Sequence, residues 1–454
     1  MTGKRKPAGK PAATFPLRAQ TIANRANSAD RSALAGPREA PAQGDSNVRL
    51  RSILAVFAAS LIAALPAHAF AQEVNDSVSV RDRPRDEYDP LGVRFGGFTL
   101  NASVGLNATH NSNVYAAETN EQDDLIFTVT PRARLQSNWS RHALTLEAGA
   151  AFDRYNDLDD ENAETYFAGA VGRVDIGSNT SVSGIARYAR EVEPRTNPDA
   201  LTAGEPIEYD RSELAVSAQH TFNRVRVRGT LTHVEYDYHN ATGAPLQDFR
   251  DMEEDRLTGR AEVELTPRIG WIIEASTDER DYSNTPSLSS DGTTFLTGLN
   301  VNLTDLMRGE ITVGTFERDY TGGSVDGTAI AANLEWYVTR LTTLTVFANQ
   351  SGEDSGAVVA LPYTATNYGA RVDHELQRNV LLTGGVSFGE RQYEAPGYDR
   401  DDEYFSGDAG VEYIMNRRVA FNLRYRHEEL ESNGANRYRD FDQDVISAGV
   451  SLRL

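Results

Sequence analysis

The stretch GGFTLNASVGLNATHNSN, residues 96–113, decides the fold. Phe98, Leu100, Ala102, Val104, Leu106 and Ala108 share one parity, and Thr99, Asn101, Ser103, Gly105, Asn107 and Thr109 take the other. Strict alternation with period 2 marks a β-strand with one apolar and one polar face. The pattern recurs to the end of the chain. Leu257, Ala261, Val263 and Leu265 oppose Arg256, Thr258, Arg260, Glu262 and Glu264, and Ile446, Ala448, Val450 and Leu452 oppose Ser447, Ser451 and Arg453.

From about residue 95, eighteen such segments can be counted, with sixteen as the alternative count. Eight short connections such as "TFNR", "LQRN" and "MNRR" alternate with nine long ones such as "EPRTNPDALTAGEPIE" and "TGGSVDG". The unit is a hairpin of about 38 residues, visible in the near-copies "TDERDYSNT" (277–285), "TFERDYTGG" (315–323) and "FGERQYEAP" (388–396).

A soluble sandwich or propeller also alternates. Here the strands read 12–15 residues long, against the usual 5–6. The polar face also carries charges that would be costly in a dry core. The sequence therefore predicts an all-β fold: a transmembrane antiparallel up-and-down β-barrel with long extracellular loops and short periplasmic turns. In a wide barrel the polar face lines a hydrated lumen. The residues expected to line it are Arg132, Arg134, Arg173, Arg226, Arg228, Arg260, Arg371, Arg424 and Arg426, with Glu147, Glu262, Glu264, Glu274, Asp373, Asp408 and Glu412. Opposite charges on neighbouring strands brace such a wall or set a field across it. Tyr282, Tyr320 and Tyr393 of the repeated Glu-Arg-x-Tyr are expected at the headgroup girdle, with a sugar-binding ladder as the less favoured reading.

Residues 48–71 read as a signal peptide: Arg49 and Arg51, an apolar stretch from Ile53 to Leu65, and a small-x-small end at Ala69–Ala71. Residues 1–47 read as a disordered extension or a mis-assigned start, with initiation at Val48. Residues 72–94 are a polar periplasmic tether or plug, and 95–454 the barrel. The export signal and the barrel pattern together place the protein in the outer membrane of a Gram-negative bacterium. Its expected neighbours there are membrane lipid and lipopolysaccharide.

Removing residues 1–71 leaves 35 basic and 63 acidic residues, a net charge of −28, and every basic residue is then Arg. Such a chain is a poor partner for nucleic acid. There is no cysteine, so disulfides, thiolate metal sites and cysteine nucleophiles are excluded. The seven histidines beyond the signal form no His-x-x-x-His or Glu-x-x-His pair. His110, beside Asn111 and Ser112, is the single local candidate for a catalytic group. Acidic runs at 157–161, 251–255 and 399–403 lack calcium-loop spacing and read as solvated loops. No catalytic, cofactor or metal residue is expected, nor any enzymatic activity.

The stretch DEYDPLGVRFGG (86–97), through Tyr88, Asp89, Pro90 and Gly92, and then Asn113-Val114-Tyr115, resembles the opening segment of the "Putative beta-barrel porin 2" family. The Arg-centred short turns, each leading into a strand ("TRLTTLTVFA", "RNVLLTGGVSF"), are similar to that family too, over most of 86–454. The resemblance implies a porin-like architecture. Some members resemble outer-membrane components of exopolysaccharide export, which would need a periplasmic export partner. The last residue, Leu454, departs from the Phe usual in such barrels. Two functions are thus expected: a channel for hydrophilic solutes or secreted polysaccharide, or a non-conducting barrel serving adhesion or envelope integrity.

Overall fold

The computed structural model describes residues 78–198, 200, 203–303, 306–321, 323–355, 362–394 and 397–454. The readings of 1–47 and of the signal peptide lie outside these. The chain forms a short β1 (Val93–Phe95), then β2 (Phe98–Asn111), β3 (Asp124–Ser137), β4 (Ala143–Tyr155), β5 (Ala163–Ile176) and β6 (Thr180–Val192). There follow β7 (Glu208–Phe222), β8 (Val225–Tyr238), β9 (Met252–Thr266), β10 (Ile269–Asp281), β11 (Ser290–Leu303), β12 (Met307–Tyr320) and β13 (Gly323–Thr339). The last six are β14 (Thr342–Asp354), β15 (Pro362–Gln377), β16 (Val380–Tyr393), β17 (Asp401–Asn416), β18 (Val419–Asn433) and β19 (Phe441–Arg453).

Each of β2–β19 pairs antiparallel with the next, and β19 returns to β2, Val445 opposite Asn111 and Arg453 opposite Ser103. The result is a closed 18-strand antiparallel barrel. Closure leaves no unpaired sheet edge, the condition for backbone to cross hydrocarbon. β1 is extra: it folds back at Gly96-Gly97 and pairs with Phe98–Leu100 beyond the end of β19. One connection differs from expectation. "TGGSVDG" is mostly strand, because Tyr320 already faces Gly323 and the ladder starts there.

The apolar parity is the exposed one. Leu106, Phe127, Leu214, Leu231, Leu257, Phe295, Val313, Leu423 and Ile446 are all more than two-fifths exposed. In water that surface would be an aggregation site; in a bilayer it is the lipid face. Leu231→Arg, at the middle of β8, should therefore destabilise the barrel by about 2–4 kcal/mol in urea unfolding from lipid vesicles. Thr230→Arg, one residue away on the other face, should cost far less. Equal losses would mean the faces are assigned wrongly.

An aromatic belt does flank this band near the short turns, where Phe222, Trp271, Trp336, Tyr413 and Phe421 are all exposed. Tyr413 and Phe421 stack at 6.4 Å across β17–β18. At the opposite end Tyr166 and Tyr188 pair at 6.3 Å.

Candidate pore constriction

The inner wall is laced with ion pairs, some between neighbouring strands and some along a single strand. Arg134 Nε lies 3.3 Å from Glu147, Arg226 Nη1 3.2 Å from Glu262, and Arg173 Nη2 2.8 Å from Asp175. Arg260 forks onto both oxygens of Glu310 at 2.9 and 2.5 Å and reaches Glu274 at 3.1 Å. Arg228 donates to Gln219 at 2.7 Å, Arg371 stands 3.5 Å from the buried Asp373, and Arg426 3.5 Å from Glu428. Among the described residues the Glu264 carboxylate makes no ion pair, and its backbone N–H donates to the Arg224 carbonyl. Among the described residues Arg132 and Arg424 make no ion pair, and both are exposed on this face.

The repeated Glu-Arg-x-Tyr corrects an expectation. Its Arg and Tyr share the parity of Glu274 and Glu310, so both point inward. Arg280 contacts Glu254 at 3.2 Å and Asp354 at 2.6 Å, the latter on β14, with three strands between. Only a concave face permits that reach. Arg318 binds Asp278 over the bare backbone of Gly292, where a Cβ would lie 2.5 Å from its guanidinium. Tyr320 donates to Asp354, and Tyr393 packs on Tyr363 at 5.1 Å beneath Arg400 at 4.5 Å. Tyr282 is enclosed beside them, and burial pushes its phenol pKa up. These tyrosines belong to the inner mouth and not to the lipid girdle.

The connection from β6 to β7 has the sequence of an ordinary long loop, and the structure gives it a larger part. Its stem is pinched by the Glu193 N–H donating to the Ile207 carbonyl at 2.9 Å. Glu193 also pairs with Arg250 at 2.7 Å, both 5 % exposed, and Arg250 lies 4.1 Å over the Tyr238 ring. Arg195 pairs with Glu161 at 2.6 Å and stands over Tyr115 of the Asn-Val-Tyr motif at 5.7 Å. Asn113, fully buried, ties that motif to the carbonyls of Ala117 and Asp442.

The loop then reaches a distant part of the wall. Arg400, just before β17, donates to the Pro198 carbonyl at 3.1 Å. Tyr438 O–H donates to the Ala200 carbonyl at 2.8 Å, and Arg439 donates to that of Arg195. Burial lowers the Arg439 pKa from its ordinary value. On its near side, Thr242 hydrogen bonds hold the Glu205 carboxyl below its usual value. Strands β6 and β17 lie seven strands apart by the shorter way round the eighteen-strand wall, so this segment crosses the lumen.

Two cavities adjoin the bridge, of about 340 and 520 Å³. They share Pro194, Asn197, Glu353, Tyr363 and Arg391. Tyr209, Tyr236, Tyr238 and Arg280 line the first, and Asn349, Asn367 and Tyr404 the second.

Residues near the other candidates are engaged elsewhere. His110 stands 3.2 Å from Asp123, while Ser112 Oγ accepts the Asp444 N–H at 2.8 Å. The acidic run at 399–403 is split by strand alternation, Asp402 turning inward to Arg400 and Asp401 and Glu403 outward.

The architecture is that of an outer-membrane porin-like β-barrel, its mouth crossed by one of its own loops. The chain belongs to the "Putative beta-barrel porin 2" family, whose model matches residues 85–454. No curated protein matches it by sequence. Solved structures with a similar course include Acinetobacter baumannii OccAB3, at 10 % identity and TM-score 0.45, covering 79 % of this chain and 100 % of that one. Pseudomonas aeruginosa OpdK with vanillate is similar at 12 % identity and TM-score 0.44, covering 78 % and 99 %. Pseudomonas aeruginosa OccK2 (OpdF) is similar at 11 % and 0.44, covering 78 % and 98 %.

Proposed function

We propose that this chain is a non-enzymatic channel through which small hydrophilic solutes cross the outer membrane of a Gram-negative bacterium, reached by way of the 48–71 signal peptide. One observation carries the reading: a charged inner wall with exposed arginines, narrowed by a loop spanning the lumen. Exposed Arg132 and Arg424 are tolerable only beside water. An extended polysaccharide would have to displace the bridge, together with its buried Glu193–Arg250 pair, so small solutes fit better than polymer, and no periplasmic export partner is required. The exposed apolar band meets membrane lipid, and the lipopolysaccharide layer lies beside the long-loop end.

Liposome swelling with the mature protein tests this. Monosaccharides should enter, and entry should fall steeply as the oligosaccharide lengthens. No swelling with any sugar would favour the non-conducting barrel. Loss of secreted polysaccharide in a deletion strain, with sugar uptake unchanged, would favour export.

A further inference from the structure

Residues 78–89, ahead of β1, lie inside the barrel at its short-turn end. Val80, 1 % exposed, fills a socket of Leu381, Ile414 and Ala420, with Tyr88 packed against it. Those socket residues share inward parity with Arg391, Asp402 and Arg424 on β16, β17 and β18. The Val80 N–H donates to Thr343 Oγ1 on β14 at 3.0 Å, and its carbonyl accepts from Arg85 Nη2 at 2.6 Å. Arg83 and Arg85 each stand 3.7 Å from Glu375 Oε2 on β15, and Arg417 donates to the Asp86 carbonyl at 2.5 Å.

The Tyr-Asp-Pro-x-Gly motif shapes this strap. The N–H groups of Tyr88 and Asp89 both donate to the Arg85 carbonyl at 2.7 Å, and the Asp89 carboxylate accepts the Arg85 N–H at 2.5 Å. Pro90 stiffens the exit. Gly92, at φ +66°, then swings the chain into β1; a Cβ there would lie 2.7 Å from Asn101 Oδ1. The motif is thus a compact head on a glycine pivot.

The hold on the wall is incomplete. Glu375 Oε2 and Arg85 Nε are buried without a hydrogen-bond partner. At 3.7 Å the arginines attract Glu375 but do not lock to it. The strap is kept by Val80 with Tyr88, a few hydrogen bonds and two arginines that stand off Glu375, whereas every strand beside it is kept by a full ladder. It can leave without opening the barrel.

We propose that residues 78–89 are a gate at the periplasmic exit of the channel, seated through Val80 and Glu375 and pivoting at Gly92. The proposal rests on the channel reading. Its test is the current through the mature protein in planar bilayers, for wild type, Val80→Asp and the pair Val80→Cys with Ala420→Cys. The chain has no native cysteine, so a disulfide reports that pair alone. Val80→Asp puts a charge into an apolar socket and should unseat the strap, giving a severalfold rise in current. The oxidised pair should hold the low level, and dithiothreitol should release it. Equal currents in oxidised and reduced forms, or failure of the disulfide to form, overturn the gate and leave the channel standing. No current from any form, Val80→Asp included, overturns the channel and the gate with it.

Discussion

Arg250→Ala should detach the bridge from the mouth and give a channel of larger, noisier conductance than wild type. Arg250 and Glu193 are each 5 % exposed, and the guanidinium bonds both carboxylate oxygens, at 2.7 and 3.0 Å. Truncating the arginine leaves Glu193 buried beside Asn197 Nδ2 at 2.9 Å and no guanidinium. A buried charge stripped of its partner costs about 3–5 kcal/mol. That cost falls on a loop, because the ladders of β6–β9 do not run through either side chain. The urea midpoint of the barrel should therefore stay near wild type while single-channel conductance rises. Replacing the pair together, Glu193→Leu with Arg250→Met, removes both charges at similar volume and should largely reseat the bridge. An unchanged conductance in Arg250→Ala would show that the bridge does not limit flow.

Gly314→Val should prevent the barrel from forming. A Cβ at Gly314 would sit 1.7 Å from the Phe295 carbonyl oxygen, and one at Gly298 1.9 Å from that of Ile311. Here β11 and β12 approach so closely that only glycine fits, and the obstacle is main chain, which no rotamer change relieves. The penalty exceeds the ~1–3 kcal/mol of ordinary overpacking. Cold gel electrophoresis reads it directly: the compact, heat-modifiable band should vanish. Gly172→Val is the control, since nothing lies within 4 Å of a Cβ there, and it should fold as wild type. A compact band from Gly314→Val would mean that the two strands can separate without losing register.

The sheet was legible because its determinant is local: alternation at residue spacing two is what a strand with two solvents must show. Strand number followed from the rhythm of short and long connections. The inward parity of Arg134, Arg260 and Arg424 could be read the same way. The Glu-Arg-x-Tyr tyrosines could have been too, since Tyr282 is an even number of residues from Glu274 and so shares its face. Their resemblance to interface tyrosines drew them to the wrong side. The bridge was not legible, because its anchors, Arg250, Arg400 and Tyr438, come from three other connections and meet it only once the barrel is closed. Its one trace is the three prolines, Pro194, Pro198 and Pro206, in a loop with charges at Glu193 and Arg195. The socket of Val80 was equally hidden, since Leu381, Ile414 and Ala420 look in sequence like turn-flanking strand residues.

The junction of β19 with β2 has a consequence for how the molecule is assembled. Every other neighbouring pair in the wall joins segments adjacent in the chain, whereas this one joins Ser103–Asn111 to Val445–Arg453. Bringing ends so distant together carries a loop-closure entropy of about 5 kcal/mol, against about 1–2 for a hairpin. The hairpins therefore zip early and the seam last. Until it does, the outward apolar band and two raw strand edges coexist on an open sheet, a species prone to stick to its own kind. The rate of the final zip, set by the chain's two most distant strands, thus governs how much protein reaches the membrane intact.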